Sequence, residues 1–436
     1  MAELTRTNAK KSEMPDNRIL AGTDETVLRG MANDQAELFG VLRSTIMKGK
    51  WIAVSILIVA LLGIGVLIAY RAAPVISDVY WVVRHTSAFS AKADENRQVE
   101  VGQAPSLVVD AGNNNLIVSG GEPGKMLVSA HKVAYGDSQA EADASLQALE
   151  VEITQQGDVI TIRTKTPQRP VICLGTCRWD SVNLTIVVPN GTALDLTTDA
   201  GWIEATGIHG PARLSSSSGN VHIEQVNGAL EAEAVSGNIN AREVKGGTVS
   251  LHSDHGNVNL SDASADDLTV TSSSGEIDVE DVQASGAVTF QNSSGNITLT
   301  NVDVSSYDLT SQTGEIDVDG AHGQIKIRNG SGNITVQHAQ NATLDLKTDT
   351  GKILFAGTLG VGPYTLHSSF GNISLSIPVN TSLSFDLRTS FGTIYSNFPV
   401  GIIGKVKKHG HWDGTINGGG ESLTVSTSGN IEILRP

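Results

Sequence analysis

Cysteine is nearly absent from this chain: 436 residues contain two, Cys173 and Cys177 in VICLGTCRWD. That excludes a disulfide framework, and two thiols without a second pair are a poor zinc site. If this segment is exported, the pair is placed to close one tight local loop as a disulfide; otherwise both are plain thiols. Aromatic residues make up only 4% of the chain, too few to fill a wide globular core. Positive charge is also in deficit, with 30 Lys and Arg against 46 Asp and Glu and a net charge of −16. Such a surface repels phosphate backbones, which argues against nucleic acid as a partner. A P-loop, a dinucleotide fingerprint, a nucleophile elbow and the Gly-Gly-x-Gly-x-Asp calcium repeat are all missing.

There is one long hydrophobic run. Residues 51–70, WIAVSILIVALLGIGVLIAY, are uncharged with an aromatic at each end, the length of a helix that spans a bilayer. Fifty polar residues precede it, which fits an uncleaved anchor better than a cleaved signal peptide. Arg43, Lys48 and Lys50 before the run outweigh Arg71 and Arg84 after it. The expectation is therefore a single-pass protein of the cytoplasmic membrane, with a largely disordered cytoplasmic tail over 1–50, a transmembrane helix over 51–70 and a stalk over 71–104. Everything downstream then lies in the periplasm or outside the cell.

Glycine is plentiful, 46 residues, and much of it is periodic. Gly201, Gly219, Gly237, Gly256, Gly275, Gly295, Gly314, Gly332, Gly351, Gly371, Gly392 and Gly429 each close a polar turn cluster. They recur every 18 to 21 residues apart from a last gap of 37, which reads as two periods with one degenerate coil. Two residues after each glycine stands Ile or Val, from Ile203 and Val221 through Ile394 and Ile431. The next inward position carries residues such as Ile223, Val279, Phe355 and Ile433, and the intervening residue is mostly polar. A second alternating strand precedes each glycine, with Leu214, Val270, Phe290, Leu309, Ile327, Leu346, Leu366 and Leu387 five residues before theirs. Alternation of this kind marks strands, and a fixed period marks units that bury their apolar faces only against one another. The fold class expected is all-β, a parallel β-solenoid of about 19-residue coils over 201–436, each coil offering about four inward side chains.

Residues 105–200 form an irregular β lead-in and cap. Alternating runs such as SLVVDAG, KMLVSAHKV, DVITIRTK and VNLTIVVPNG are strands, and SQAEADASLQALEV is a short helix among them.

The residue after the glycine is Asn at Asn220, Asn238, Asn257, Asn296, Asn333, Asn372 and Asn430. Stacked in register these form an asparagine ladder whose amides satisfy the backbone or one another. The same residues generate glycosylation-like triplets at Asn296, Asn333 and Asn372, a by-product of the repeat. Outward carboxylates at Glu276, Asp278 and Glu280 lie two coils from Glu315, Asp317 and Asp319. On a polysaccharide-cleaving β-helix such pairs supply acid/base groups, but a solvated acidic face needs nothing more. His409, His411 and Asp413 are the nearest approach to a metal set and lack a firm third ligand.

The lead-in, VDAGNNNLIVSGG through VNLTIVVPNGTALDLTTDAG, followed by units such as SSSGNVHIEQVNG, SSSGEIDVEDV and NSSGNITLTNV, resembles the bacterial candidate-adhesin family of β-strand-repeat proteins, a domain of unknown function. The resemblance covers roughly 100–436. It implies an envelope-associated, membrane-attached solenoid and brings no catalytic residues with it. The functional expectation is a non-enzymatic interaction protein, adhesin-like or an envelope scaffold or sensor, with no cofactor and no metal. Its partners would be the membrane through 51–70, an envelope protein or glycan, and itself through self-association. The alternative is a carbohydrate-active β-helix acting through Asp278 and Asp317.

Overall fold

The computed structural model describes residues 89–436 apart from 103, 168–177 and 403–409. The tail, the hydrophobic run 51–70, both cysteines and His409 lie outside the described residues. Among the described residues no helix is long and apolar enough to cross a membrane.

From 193 to 376 successive coils stack in parallel register. Val221 lies opposite Ile203 and Ile239, and Ile277 lies opposite Val258 and Ile297. Equivalent positions are therefore superposed, and the interior is a set of columns. Ile203, Val221, Ile239, Val258, Ile277 and Ile297 form one column, and Leu214, Leu251, Val270, Phe290 and Leu309 another, all fully buried. The interior is wider than four side chains per coil. Six residues after the glycine the chain turns through a left-handed conformation: Gln225, Glu243, Asp262, Asp281, Asn301 and His338 have φ between 50° and 57°. Gly207 and Gly320 occupy the same place. This stacked kink breaks the two-residue alternation and turns the seventh residue inward, so Ile208, Val226, Val244, Val282 and Val302 add a further buried column. The position seven residues before the glycine, Leu230, Val249, Leu268, Tyr307 and Tyr364 among others, is buried as well. Tyr307 donates its hydroxyl to the Val302 carbonyl, and burial pushes its pKa up to about 12.

The lead-in is more than a cap. Ser106–Asp110 and Leu116–Gly121 are themselves a coil, stacked directly on Ala193–Thr198 and Ile203–Ile208. The solenoid therefore does not begin at 201. On the other side that coil pairs with Val159–Lys165 and Ser181–Pro189, which follow it in sequence but lie outside it in the stack. Antiparallel strands then seal the end: Glu150–Gln156 on Val159–Lys165, Lys125–Gly136 on Ser181–Pro189, and Phe89–Glu100 on Lys125–Gly136. The last of these falls inside the expected stalk, so ordered structure starts before residue 105. It is an edge strand rich in charge, and Lys132 reaches across it to Glu95 at 2.7 Å. Helix α1, Gln139–Gln147, is the helix expected from SQAEADASLQALEV, and Ser138 caps its N-terminus by accepting the Glu141 N–H.

The opposite end departs from the linear reading. Glu421–Thr427 lies between Tyr364–Phe370 and Leu383–Thr389, parallel to both, and Ile431–Leu434 lies between Ile373–Ser376 and Ile394–Ser396. The coil of Gly429 is inserted between those of Gly371 and Gly392. The gap of 37 is therefore not a degenerate coil, since Val400–Ile402 and His411–Ile416 fold back antiparallel and close the end. Period alone is blind to this because either order satisfies the same spacing. Both ends of the stack thus hold a segment between two others that are out of sequence order.

Truncation after Gly420 strips a parallel partner from 364–376 and from 383–396. Amide hydrogen exchange should show protection lost across 383–402 and 410–416 and retained across 212–340; equal protection in the truncated and full chains would refute the inserted order.

Candidate functional site

The repeat glycines sit against backbone. A Cβ on Gly219 would overlap the Gly201 carbonyl, one on Gly314 the Gly295 carbonyl, and one on Gly332 the Gly314 carbonyl. The same relation runs on through Gly371, Gly429 and Gly392. Gly275, Gly295, Gly314, Gly332 and Gly351 also have φ between +135° and +154°. Glycine is required at these positions for close approach and for conformation together.

Those inward carbonyls need donors. They are supplied by a buried polar column that the sequence reading missed. Ser216 donates to the Gly201 carbonyl at 3.1 Å, Ser253 to Gly237 at 2.9 Å, Asn292 to Gly275 at 2.7 Å, Asn329 to Gly314 at 2.9 Å and Ser368 to Gly351 at 2.8 Å. Thr427 and Thr389 continue it onto Gly371 and Gly429. The signal was present in the sequence as Ser, Thr or Asn three residues before nearly every glycine, where alternation puts an inward side chain.

The asparagine row runs beside it. Asn220 Oδ1 accepts the Asn238 N–H and Asn238 Oδ1 the Asn257 N–H, both at 2.9 Å, and the pattern repeats from Asn257 to Glu276, Asn296 to Glu315 and Asn333 to Lys352. At the inserted coil Asn372 accepts from Asn430, which accepts from Thr393. Each carbonyl oxygen of the row faces the next turn's backbone. Of the amide nitrogens, that of Asn333 donates to the Glu315 carboxylate at 2.9 Å.

Carboxylates do not converge. Asp278 lies opposite Thr298, and Thr298 opposite Asp317, so the two acids are about 9.6 Å apart along one row, two strand spacings, with a threonine between them. His338 pairs with Asp319 at 2.5 Å, and His411 with Asp386 at 3.0 Å, where Asp386 lies opposite Asp413 on the strand that also carries His411. Among the described residues no three His, Cys, Asp or Glu groups come together to hold a metal. Arg388, in bidentate contact with Asp386, holds that carboxyl below its ordinary pKa, burial pulls the other way, and His411 adds to the lowering.

A parallel solenoid with sealed ends and outward rows of polar side chains is the class that this geometry defines. The chain belongs to the Toastrack DUF4097 family, which matches it over residues 129–291 and again over 260–434. No curated protein matches the chain. Among solved structures it is similar to a candidate cell adhesion protein from Clostridium sporogenes (10% identity, 79% of this chain and 100% of that one, TM-score 0.18). It is also similar to a candidate adhesin from Bacteroides fragilis (11% identity, 79% and 98%, TM-score 0.26) and to a candidate lipid-binding protein from Parabacteroides distasonis (11% identity, 78% and 96%, TM-score 0.28). Overlaps this weak transfer neither ligand nor activity.

Ser311 tests the polar column, because its buried hydroxyl makes no hydrogen bond although its place in the column is the same. Ser253→Ala should cost about 1–3 kcal/mol by orphaning a buried carbonyl, and Ser311→Ala less than about 0.5 kcal/mol, read from urea unfolding under matched conditions. Equal losses would remove the donor role. Acid should loosen the C-terminal hairpin. Because folding lowers the Asp386 pKa, the contribution of that carboxylate is complete above its ordinary value of 3.8 and disappears as pH falls through the lower folded value. Asp386→Asn should flatten the acid limb of the unfolding curve in this region, and an unchanged limb would contradict the assignment.

Proposed function

We propose that this protein is a non-enzymatic interaction module of the cell envelope, adhesin-like or a scaffold or sensor, held in the cytoplasmic membrane by residues 51–70 and presenting its solenoid on the outer side. The observation that carries the reading is how the repeated chemistry is spent. The repeat glycines, most of the buried polar column and the asparagine carbonyl oxygens are engaged in joining one coil to the next. What remains for function is the outward surface, a set of rows with a repeat of about 4.8 Å. Rows of this kind suit an extended partner laid along or across the stack, either an envelope protein or a glycan. The sealed ends suit the same role, since an open parallel edge invites addition of further strands.

The run 51–70 and the excess of basic residues just ahead of it, Arg43, Lys48 and Lys50, over Arg71 and Arg84 just after it support the orientation. Protease added to intact spheroplasts should degrade an epitope placed after Pro436 and spare one placed before Met1. The reverse pattern, or protection of both until lysis, would reject the placement.

A further inference from the structure

Most outward positions of the stack are polar, with a departure beside the inserted coil. Phe370 and Phe391 stand immediately before Gly371 and Gly392, and they are 67% and 90% exposed. In sequence they are successive turn residues, Ser369-Phe370-Gly371 and Ser390-Phe391-Gly392. In space the coil of Gly429 separates them, because Thr427 lies opposite both Ser368 and Thr389. Three steps lead from Ser368 to Gly371 and from Thr389 to Gly392, but two from Thr427 to Gly429. The middle turn is one residue shorter, and the residue it lacks is the one that carries phenylalanine in its neighbours. Two aromatic side chains therefore flank a lower turn made of Ser428 and Gly429, about 9.6 Å apart, two strand spacings.

The surroundings are polar. Asn372 and Asn430 use their carbonyl oxygens on the backbone, which leaves their amide nitrogens as donors. On the adjoining face Glu432 lies opposite Tyr395, which is 54% exposed, and opposite Ser374. Apolar rings spaced along a row, with amide donors and a carboxylate acceptor between and beside them, are suited to a ligand that has both C–H faces and hydroxyls. In a β-1,4-linked pyranose chain successive rings are flipped, so every second ring presents the same face, and an extended chain recurs at a distance comparable to the separation of Phe370 and Phe391. The negative charge of the chain disfavours an anionic bilayer as the occupant. A phosphate-bearing polymer is disfavoured for the same reason.

We infer that Phe370, Phe391 and Tyr395, with Asn372, Asn430 and Glu432, form a binding platform for a neutral β-1,4-linked glycan. Alternate sugars stack on the two phenylalanines, and the intervening sugar lies over the short turn at Ser428. The inference rests on the interaction-module reading above and supplies its ligand class. Inserting a residue between Ser428 and Gly429 would raise the floor of the platform.

The test uses the full chain in detergent, titrated calorimetrically with tetra-N-acetylchitotetraose and cellotetraose, and with α-linked maltotetraose as the shape control. At least one β-linked tetramer should bind, the F370A/F391A double variant should bind at least tenfold more weakly with an unchanged circular dichroism spectrum, and F370Y/F391W should retain binding. No binding of either β-linked tetramer, equal binding of maltotetraose, or binding indifferent to the double alanine variant overturns the platform. So does a result in which the two phenylalanines instead govern flotation with phosphatidylcholine vesicles or the sedimenting mass, which would make the site a membrane or self-association contact. Failure of the protease experiment with glycan binding intact removes the placement and leaves the platform, and the converse removes only the platform.

Discussion

Each turn of this solenoid stands so close to the one before it that a single methyl group will not fit between them. That approach, glycine over the carbonyl of the neighbouring turn's glycine, is what lets the turns keep the ladder spacing and register of the strands along the stack. Once it is imposed, equivalent residues superpose, and every side-chain requirement is repeated coil by coil. An inward carbonyl at one glycine calls for a donor at one position in the next coil, which explains why Ser, Thr and Asn recur there in an otherwise aliphatic interior. The column has breaks: Ala234 stands where a donor would, and Ser311 occupies the position without bonding.

Columns also divide the labour of the surface. Side chains that join coils are held by the backbone of a neighbour and have little freedom to read a ligand. Outward positions on the strands are less uniformly engaged, some paired between coils as Lys326 is with Asp308, and they vary from acid to threonine to tyrosine along one row. This is why the acids at Asp278 and Asp317, though aligned, do not amount to a catalytic pair: superposition places them two spacings apart with Thr298 between. The same geometry makes a repeated surface good at meeting an extended partner and poor at enclosing a small one.

The two ends obey a different logic from the middle. Internal coils need only follow one another, whereas a terminal coil would leave two edges unpaired. Here each end is sealed by antiparallel strands, and at each end a coil is held between segments that are not its neighbours in sequence. Insertion of the 421–434 segment ties the C-terminus into the stack by ladder bonds on both sides. It also sets Phe370 and Phe391 two spacings apart, so the candidate platform is a product of the closure.

Reading the chain without coordinates was enough for the parallel β-solenoid, the inward aliphatic columns beside each glycine, the helix at 139–147 and the asparagine row, because period and alternation are local properties of a strand. The left-handed kink six residues after the glycine was harder to see, since Gln225, Asp262 and His338 share no obvious type, although each tolerates that conformation within a stacked bend. The polar column was visible as a recurrence, but its purpose was not, because a buried hydroxyl is intelligible only once the carbonyl it meets has been located. Stack order at the ends, the strand Phe89–Glu100 and the pairing of distant turns around Ser428 were decided by tertiary structure alone. A repeat specifies what each coil must look like, and it carries no label for which coil lies beside which; hydrogen bonding between edges far apart in the chain makes that choice.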